Sequence, residues 1–319
     1  MIEANAERLL QRLEWTVLRR LDGLLQGDYR SLLRGAGVDL ADLREYQLHD
    51  DVRHIDWNVT ARLQQPHVRL YLEDRELSAW FLLDLSASID FGSGARTKLD
   101  TSAAFVAALA RVITRHGNRV GALLYGEQVE AVLAPAASRR HLLTLLQRMR
   151  APRAPTRGTG TALADLLQAA AGVIKRRSLV FVVSDFISAP GWADALDRLA
   201  LRHDVVAVRL VDPLERELPA DAGLGLLTVQ DAETGEQLLI DAGDAGFRER
   251  YARIAAEQEA AIFDALSQSG ADTLELATDD DLLDALLRFA DLRRQRARLK
   301  SPLRFPAHLR RAVPAAAAP

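Results

Sequence analysis

Cysteine is absent from this sequence of 319 residues. That excludes disulfides, thiolate metal sites and cysteine nucleophiles together, and it suits a reducing compartment. Long apolar runs are missing as well. Crossing a bilayer takes ~18–20 uncharged residues, and the longest candidate, Thr101 to Ala110, is bounded by Asp100 and Arg111. Near the start, Glu3, Glu7 and Arg8 stand where a signal peptide requires an apolar core. The expectation is a soluble, cytoplasmic chain with no direct membrane insertion. There is also no excess of either charge: 41 Lys and Arg face 44 Asp and Glu, for a net charge of −3. No global attraction for nucleic acid follows, so none is expected as a partner. What remains is ordinary for a folded chain, 49% hydrophobic and 27% charged, which excludes a disordered polymer or a fibre.

The organisation reads in three parts: 1–76, 77–292 and 293–319. Residues 2 to 26 repeat Leu9, Leu10, Leu13, Val17, Leu21, Leu24 and Leu25 at helical spacing, which predicts a helix packed on the main domain. A charged stretch follows, with Asp50, Asp51, Arg53, Asp56 and Trp57. It suits either a buried ion-pair knot or a partner-reading surface, where Arg53 and Trp57 would serve as an interface hot spot. From residue 77 apolar runs alternate with helical patterns. Strands are predicted at 80–84, 120–125, 129–133, 178–184, 204–211 and 273–276, and helices at 98–116, 138–149, 161–176, 191–200, 244–268 and 279–291. The fold class expected is α/β, doubly wound, with a mainly parallel sheet covered by helices on both faces. An inserted hairpin is predicted near 224–241 around Glu233-Thr-Gly. From residue 292 onward there are eight Lys and Arg and no acid, leaving the rest of the chain at −11. Residues 293–319 therefore read as a basic, flexible tail.

Chemistry concentrates where two buried strands end. In Asp84-Leu-Ser86-Ala-Ser88 the alternation of an extended segment points the carboxylate and both hydroxyls the same way. Arg157-Gly-Thr159-Gly-Thr161 is a Gly-Thr loop before a helix, and Val182-Val-Ser-Asp185 ends a second strand in a carboxylate. In an open parallel sheet the carboxyl ends of strands share one edge, and ligands bind where the strand order reverses. If 80–84 and 179–184 flank that reversal, Asp84, Ser86, Ser88, Thr159 and Asp185 meet there. Thr161, two residues on, is the alternative to Thr159. This hard-oxygen set suits Mg²⁺, with Mn²⁺ or Ca²⁺ as alternatives.

These residues resemble the metal-ion-dependent adhesion site of von Willebrand factor A domains. Arg44-Glu-Tyr-Gln, Asp50-Asp-Val-Arg-His-Ile-Asp-Trp57, Val183-Ser-Asp-Phe186 and Asp212-Pro-Leu-Glu-Arg-Glu-Leu-Pro219 narrow the likeness to the bacterial DUF58 family, in its short form without membrane helices. The resemblance implies an A-like domain that partners a MoxR-type AAA+ ATPase in assembling or metallating a client protein. Where the A-domain pattern has Gly after the last metal Asp, this chain has Phe186. Phe186, Arg157, Arg53 and Trp57 are the residues expected to contact the partner around the metal.

Enzymatic readings find less support. A P-loop string is absent, as is Gly-x-Ser-x-Gly, and an aspartyl-phosphate phosphatase would carry Asp where Ser86 stands. The expectation is a non-enzymatic adaptor with no catalytic residues. The alternative is a Mg²⁺-dependent hydrolase or phosphoesterase using the same carboxylates, which requires a positioned general base.

Overall fold

The computed structural model describes residues 42–46, 55, 57–70, 78–153, 162–219, 225–230 and 235–298. The expected helix over 2–26 lies outside them, as do Arg53, Arg157, Thr159 and Thr161. Asp42–Glu45 (β1) pairs antiparallel with His67–Leu70 (β2), and Trp57–Leu63 (α1) lies between them in sequence. The sequence pattern does not predict β1. Its four residues, Asp-Leu-Arg-Glu, hold one apolar side chain, and pairing with β2 rather than apolar periodicity makes it a strand.

The main sheet combines Ser78–Asp84 (β3), Arg119–Tyr125 (β4), Val129–Ala136 (β5), Leu179–Ser184 (β6), Asp204–Val211 (β7) and Asp272–Ala277 (β10), in the order β10-β7-β6-β3-β4-β5. All neighbours are parallel except β4 and β5, which are antiparallel. Leu226–Gln230 (β8) and Gln237–Asp241 (β9) pair antiparallel as a separate two-stranded sheet, where the sequence predicted an insertion.

Helices cover both faces because the central strands are apolar on both. From β3, Ala79, Phe81 and Leu83 enter one core, under Lys98–Arg115 (α2), Arg139–Met149 (α3) and Leu282–Arg298 (α7). Trp80 and Leu82 enter the other, under Leu163–Val173 (α4), Trp192–Ala200 (α5) and Ala245–Gln268 (α6). This is the period-2 alternation of a strand buried on both sides. Phe81 and Phe181 stack at 5.1 Å between ring centroids, with Phe105 edge-on to both. Each such side chain contributes roughly 1.5–3 kcal/mol by leaving water. Among the described residues no helix is long and apolar enough to cross a membrane.

Two details differ from expectation. The last helix runs to Arg298 rather than stopping near 291, so residue 293 is not a break in structure. Arg293 is buried and pairs with Asp204 and Asp272 (2.6 and 3.2 Å), which anchors the helix against the amino ends of β7 and β10. In α6, one of the helices expected to cover the sheet, burial is confined to the carboxyl end. Ile262, Phe263 and Leu266 are in the core, while Ile254 is 57% exposed.

Candidate metal centre

The sheet grows outward from β3 in both directions. β3 bonds β4 on one side and β6 on the other, so the reversal falls between β3 and β6. Asp84 is the last residue of β3, and Asp185 directly follows β6. The reversal sought in the sequence therefore lies between these two carboxylates.

Local geometry fixes each donor. Leu85 N–H donates to the Tyr125 carbonyl (2.7 Å), extending the strand ladder one residue beyond Asp84. The chain then turns through a 3₁₀ segment, Ala87–Asp90. Ser86 N–H donates to Asp84 Oδ1 (3.0 Å), and the Ser184 hydroxyl donates to Asp84 Oδ2 (2.6 Å). Ser86 Oγ and Ser88 Oγ share a hydrogen bond of 3.2 Å. Asp84, Ser86 and Ser88 thus form one cluster, as the spacing predicts. Burial, and then the charge of Asp185, push the Asp84 carboxyl up to about 6, against hydrogen bonds from Ser184 and Ser86. Among the described residues, none forms an ion pair with Asp84.

Asp185 is held differently. Its Oδ1 accepts from Ile187 N–H (3.0 Å), and its Oδ2 accepts from Lys98 Nζ at 2.8 Å. Lys98, the first residue of α2, is fully buried and also donates to Glu215 Oε1 at 2.6 Å. Burial pulls the lysine downward, but the charges of Asp185 and Glu215 outweigh it and hold the ammonium above its usual value. Glu215 is positioned in turn, because its Oε2 accepts from Asp212 N–H at 2.9 Å. Asp212 accepts from Ser93 N–H, Leu214 N–H and the Thr278 hydroxyl.

Phe186 requires a correction. It is 1% exposed, with φ +61°, and its ring packs 5.2 Å from that of Trp192. Its side chain belongs to the core under α4, α5 and α6 and does not present a ring to a partner. The glycine of the A-domain pattern suits the left-handed backbone. Here a bulky residue takes that conformation at a cost of roughly 1–2 kcal/mol, offset by core burial. The loop over 92–95 is anchored as well. Ser93 is tied to Asp212, and a Cβ on Gly92 would sit 2.5 Å from the Arg96 carbonyl oxygen. Trp57 is 70% exposed, on α1. Arg53, Arg157, Thr159 and Thr161 lie outside the described residues. The chain re-enters at Ala162, and Leu163 N–H donates to Ser188 Oγ (2.8 Å), three residues past Asp185.

The sequence reading missed Lys98, Ser184 and Glu215. Ser184 stands beside Asp185 in the string already quoted, and Glu215 sits inside Asp212-Pro-Leu-Glu-Arg. Lys98 gives no signal of its own. A cation at a helix start opposes the helix dipole, so its place there depends on distant carboxylates.

The residues fit a hard divalent cation on one observation. Among the described residues, Asp185 and Glu215 share one ammonium, Lys98, and Asp84, which feels the charge of Asp185, has none, so three carboxylates meet one cation. Serine hydroxyls and carboxylates are the oxygen donors such an ion prefers. Among the described residues no group of three or more His, Asp or Glu is placed to hold a metal, so a cation here would rest on two carboxylates supplemented by hydroxyls and water.

Comparison with known proteins supplies a family. The profile described as "Protein of unknown function DUF58" matches residues 42–261. Uncharacterized proteins of Mycobacterium bovis and Mycobacterium tuberculosis are 38% identical over 291 residues, 90% of this chain and 90% of each relative. Among solved structures, the conserved hypothetical protein BatB from Bacteroides thetaiotaomicron is similar at 12% identity and a TM-score of 0.43, covering 69% of this chain and 99% of that one.

Proposed function

The chain belongs to the DUF58 family, whose function is unknown, and from that premise we propose that it is a non-enzymatic, metal-dependent adaptor. Asp84, Ser86 and Ser88, with Thr159 from the neighbouring loop and Asp185 across the reversal, hold Mg²⁺, and the same oxygens accommodate Mn²⁺ or Ca²⁺. When bound, the cation supplies an open coordination position for a carboxylate of another protein. That protein is a MoxR-type AAA+ ATPase, acting with this chain on a client in assembly or metallation. The observation that carries the reading is the uncompensated charge at the β3–β6 reversal.

This arrangement gates binding. Without a metal ion, Asp84 repels an incoming acidic side chain, while the charge of Asp185 is met by Lys98. A metal–carboxylate contact is weak by itself, because both groups lose hydration. Neighbouring residues must therefore supply affinity, with Arg157, Arg53 and the exposed Trp57 as the candidates. Two observations support an adaptor over a hydrolase. Lys98 is held protonated and so is not a base. His141 and His203 sit at the opposite edge, His141 hydrogen-bonding the Val120 carbonyl and His203 preceding β7.

The test is capture of the purified ATPase by wild type and Asp84→Asn, each with Mg²⁺ and with EDTA. Capture by wild type in Mg²⁺ alone is expected. Equal capture in all four conditions contradicts the reading. Capture lost only on truncation after Arg298 assigns docking to the basic terminus instead.

A further inference from the structure

We propose that Lys98 is a tethered counter-cation that competes with the divalent ion for Asp185 and so sets the affinity of the site. The inference rests on the metal-dependent reading above and concerns what a metal ion meets on arrival. Lys98 is fully buried, and its ammonium bridges Asp185 Oδ2 and Glu215 Oε1 at 2.8 and 2.6 Å. The bridge is built from several directions. Thr97 opens α2 with a capping box through Asp100, which fixes Lys98 at the first helical position. Glu215 is held by its own capping box with Asp212, which Ser93 and Thr278 pin in turn.

A lysine at a helix N-terminus faces the positive end of the dipole. Simple packing would favour an apolar side chain there. The two carboxylates make the lysine tolerable, and the lysine makes them tolerable without a metal. Among the described residues Asp84 has no such partner, so the site they form without metal is half-neutralised. A divalent ion near Asp84 and Asp185 then meets the repulsion of a fixed positive charge that shares one of its carboxylates. The consequences are a fold that stands without metal and a site that binds it weakly and reversibly.

Calorimetry with Mn²⁺ on wild type, Lys98→Gln and Lys98→Arg tests this. Lys98→Gln keeps hydrogen-bond donors while removing the charge, and it should bind Mn²⁺ at least about tenfold tighter than wild type. Its melting temperature should be lower without metal and rise more on adding it. Lys98→Arg, which keeps the charge, should stay within about threefold of wild type. Equal affinity in wild type and Lys98→Gln overturns this inference alone. Absence of Mn²⁺ binding in all three proteins overturns the metal reading and this inference with it. Binding seen only in Lys98→Gln supports both, with Lys98 as the ion's resident substitute. Should Lys98→Gln not fold, Glu215→Gln is compared with the double variant Lys98→Gln/Glu215→Gln. Tighter binding by the double variant supports the proposal, and equal binding overturns it.

Discussion

Two buried charge clusters border one small cavity in this molecule, and they are balanced differently. In the first, Lys98 is the single cation among the described residues, set against Asp84, Asp185 and Glu215. In the second, Arg209 on β7 and Arg216 bind Glu275 on β10 and Glu259 on α6, through contacts of 2.6 to 3.1 Å. Two guanidiniums answer two carboxylates, and both oxygens of Glu275 are engaged. Burying a charge is tolerable only when it is paired and hydrogen-bonded. The second cluster answers each charge from within the chain, although Nε of both arginines is left without a hydrogen-bond partner, and reads as a joint between strand, turn and helix. Among the described residues the first leaves Asp84 without a cation, and in the proposed reading that deficit is where a metal ion binds.

The comparison predicts a separation of effects. Glu275→Ala leaves two guanidiniums sharing Glu259 as their remaining carboxylate, with one positive charge unanswered, and should cost about 3–5 kcal/mol in urea denaturation, with Mn²⁺ affinity unchanged. A loss of metal affinity there would break the distinction between the clusters. Phe186→Gly removes a buried ring and relieves a positive φ, for a net loss of about 2–4 kcal/mol by the same measurement. A loss under about 0.5 kcal/mol, the scale of surface substitutions, would mean the ring is not part of the core.

Asp212→Asn tests the arm that positions Glu215. Burial pushes the Asp212 carboxyl up, but hydrogen bonds from Ser93, Thr278 and Leu214 outweigh it and hold it below its usual value. A carboxyl lowered in the folded state adds stability above its unfolded value near 3.9, and that stability is lost as pH falls through the folded value. The variant should be about 2 kcal/mol less stable at pH 7. Its difference from wild type should shrink below about pH 4. A gap that stays constant with pH would show that the charge of Asp212 is not what holds the arm. The smallest effect belongs to Asp84→Asn, which removes an uncompensated buried charge. Its stability should stay within about 1 kcal/mol of wild type or rise slightly, whereas any paired carboxylate in the second cluster should lose far more.

Much of this was legible in the sequence, for a physical reason. Strands buried on both faces are continuous apolar runs, so β3, β6 and β7 are readable from Trp80-Phe-Leu-Leu, Leu179-Val-Phe-Val-Val and Asp204-Val-Val-Ala-Val. Asp84, Ser86 and Ser88 are neighbours in sequence, and their convergence follows from local geometry. Lys98 pairs with groups 87 and 117 residues away, and no spacing rule reaches that far. Phe186 misled because an aromatic beside a site suggests a contact surface, whereas its backbone angle turns the ring inward. Arg293 misled in the same way. Read within a basic run it is a solvated charge, but Asp204 and Asp272 at the amino ends of two strands draw it into the fold.

The central claim is that the charge deficit at Asp84 is a cation site. Isothermal calorimetry of Mn²⁺ into wild type and Asp84→Asn tests it most directly, with urea denaturation of both proteins as the check on folding. The account predicts one saturable site in wild type and at least tenfold weaker binding in the variant, whose fold is intact. Equal Mn²⁺ affinity in the two proteins, or no saturable binding in wild type, would contradict it.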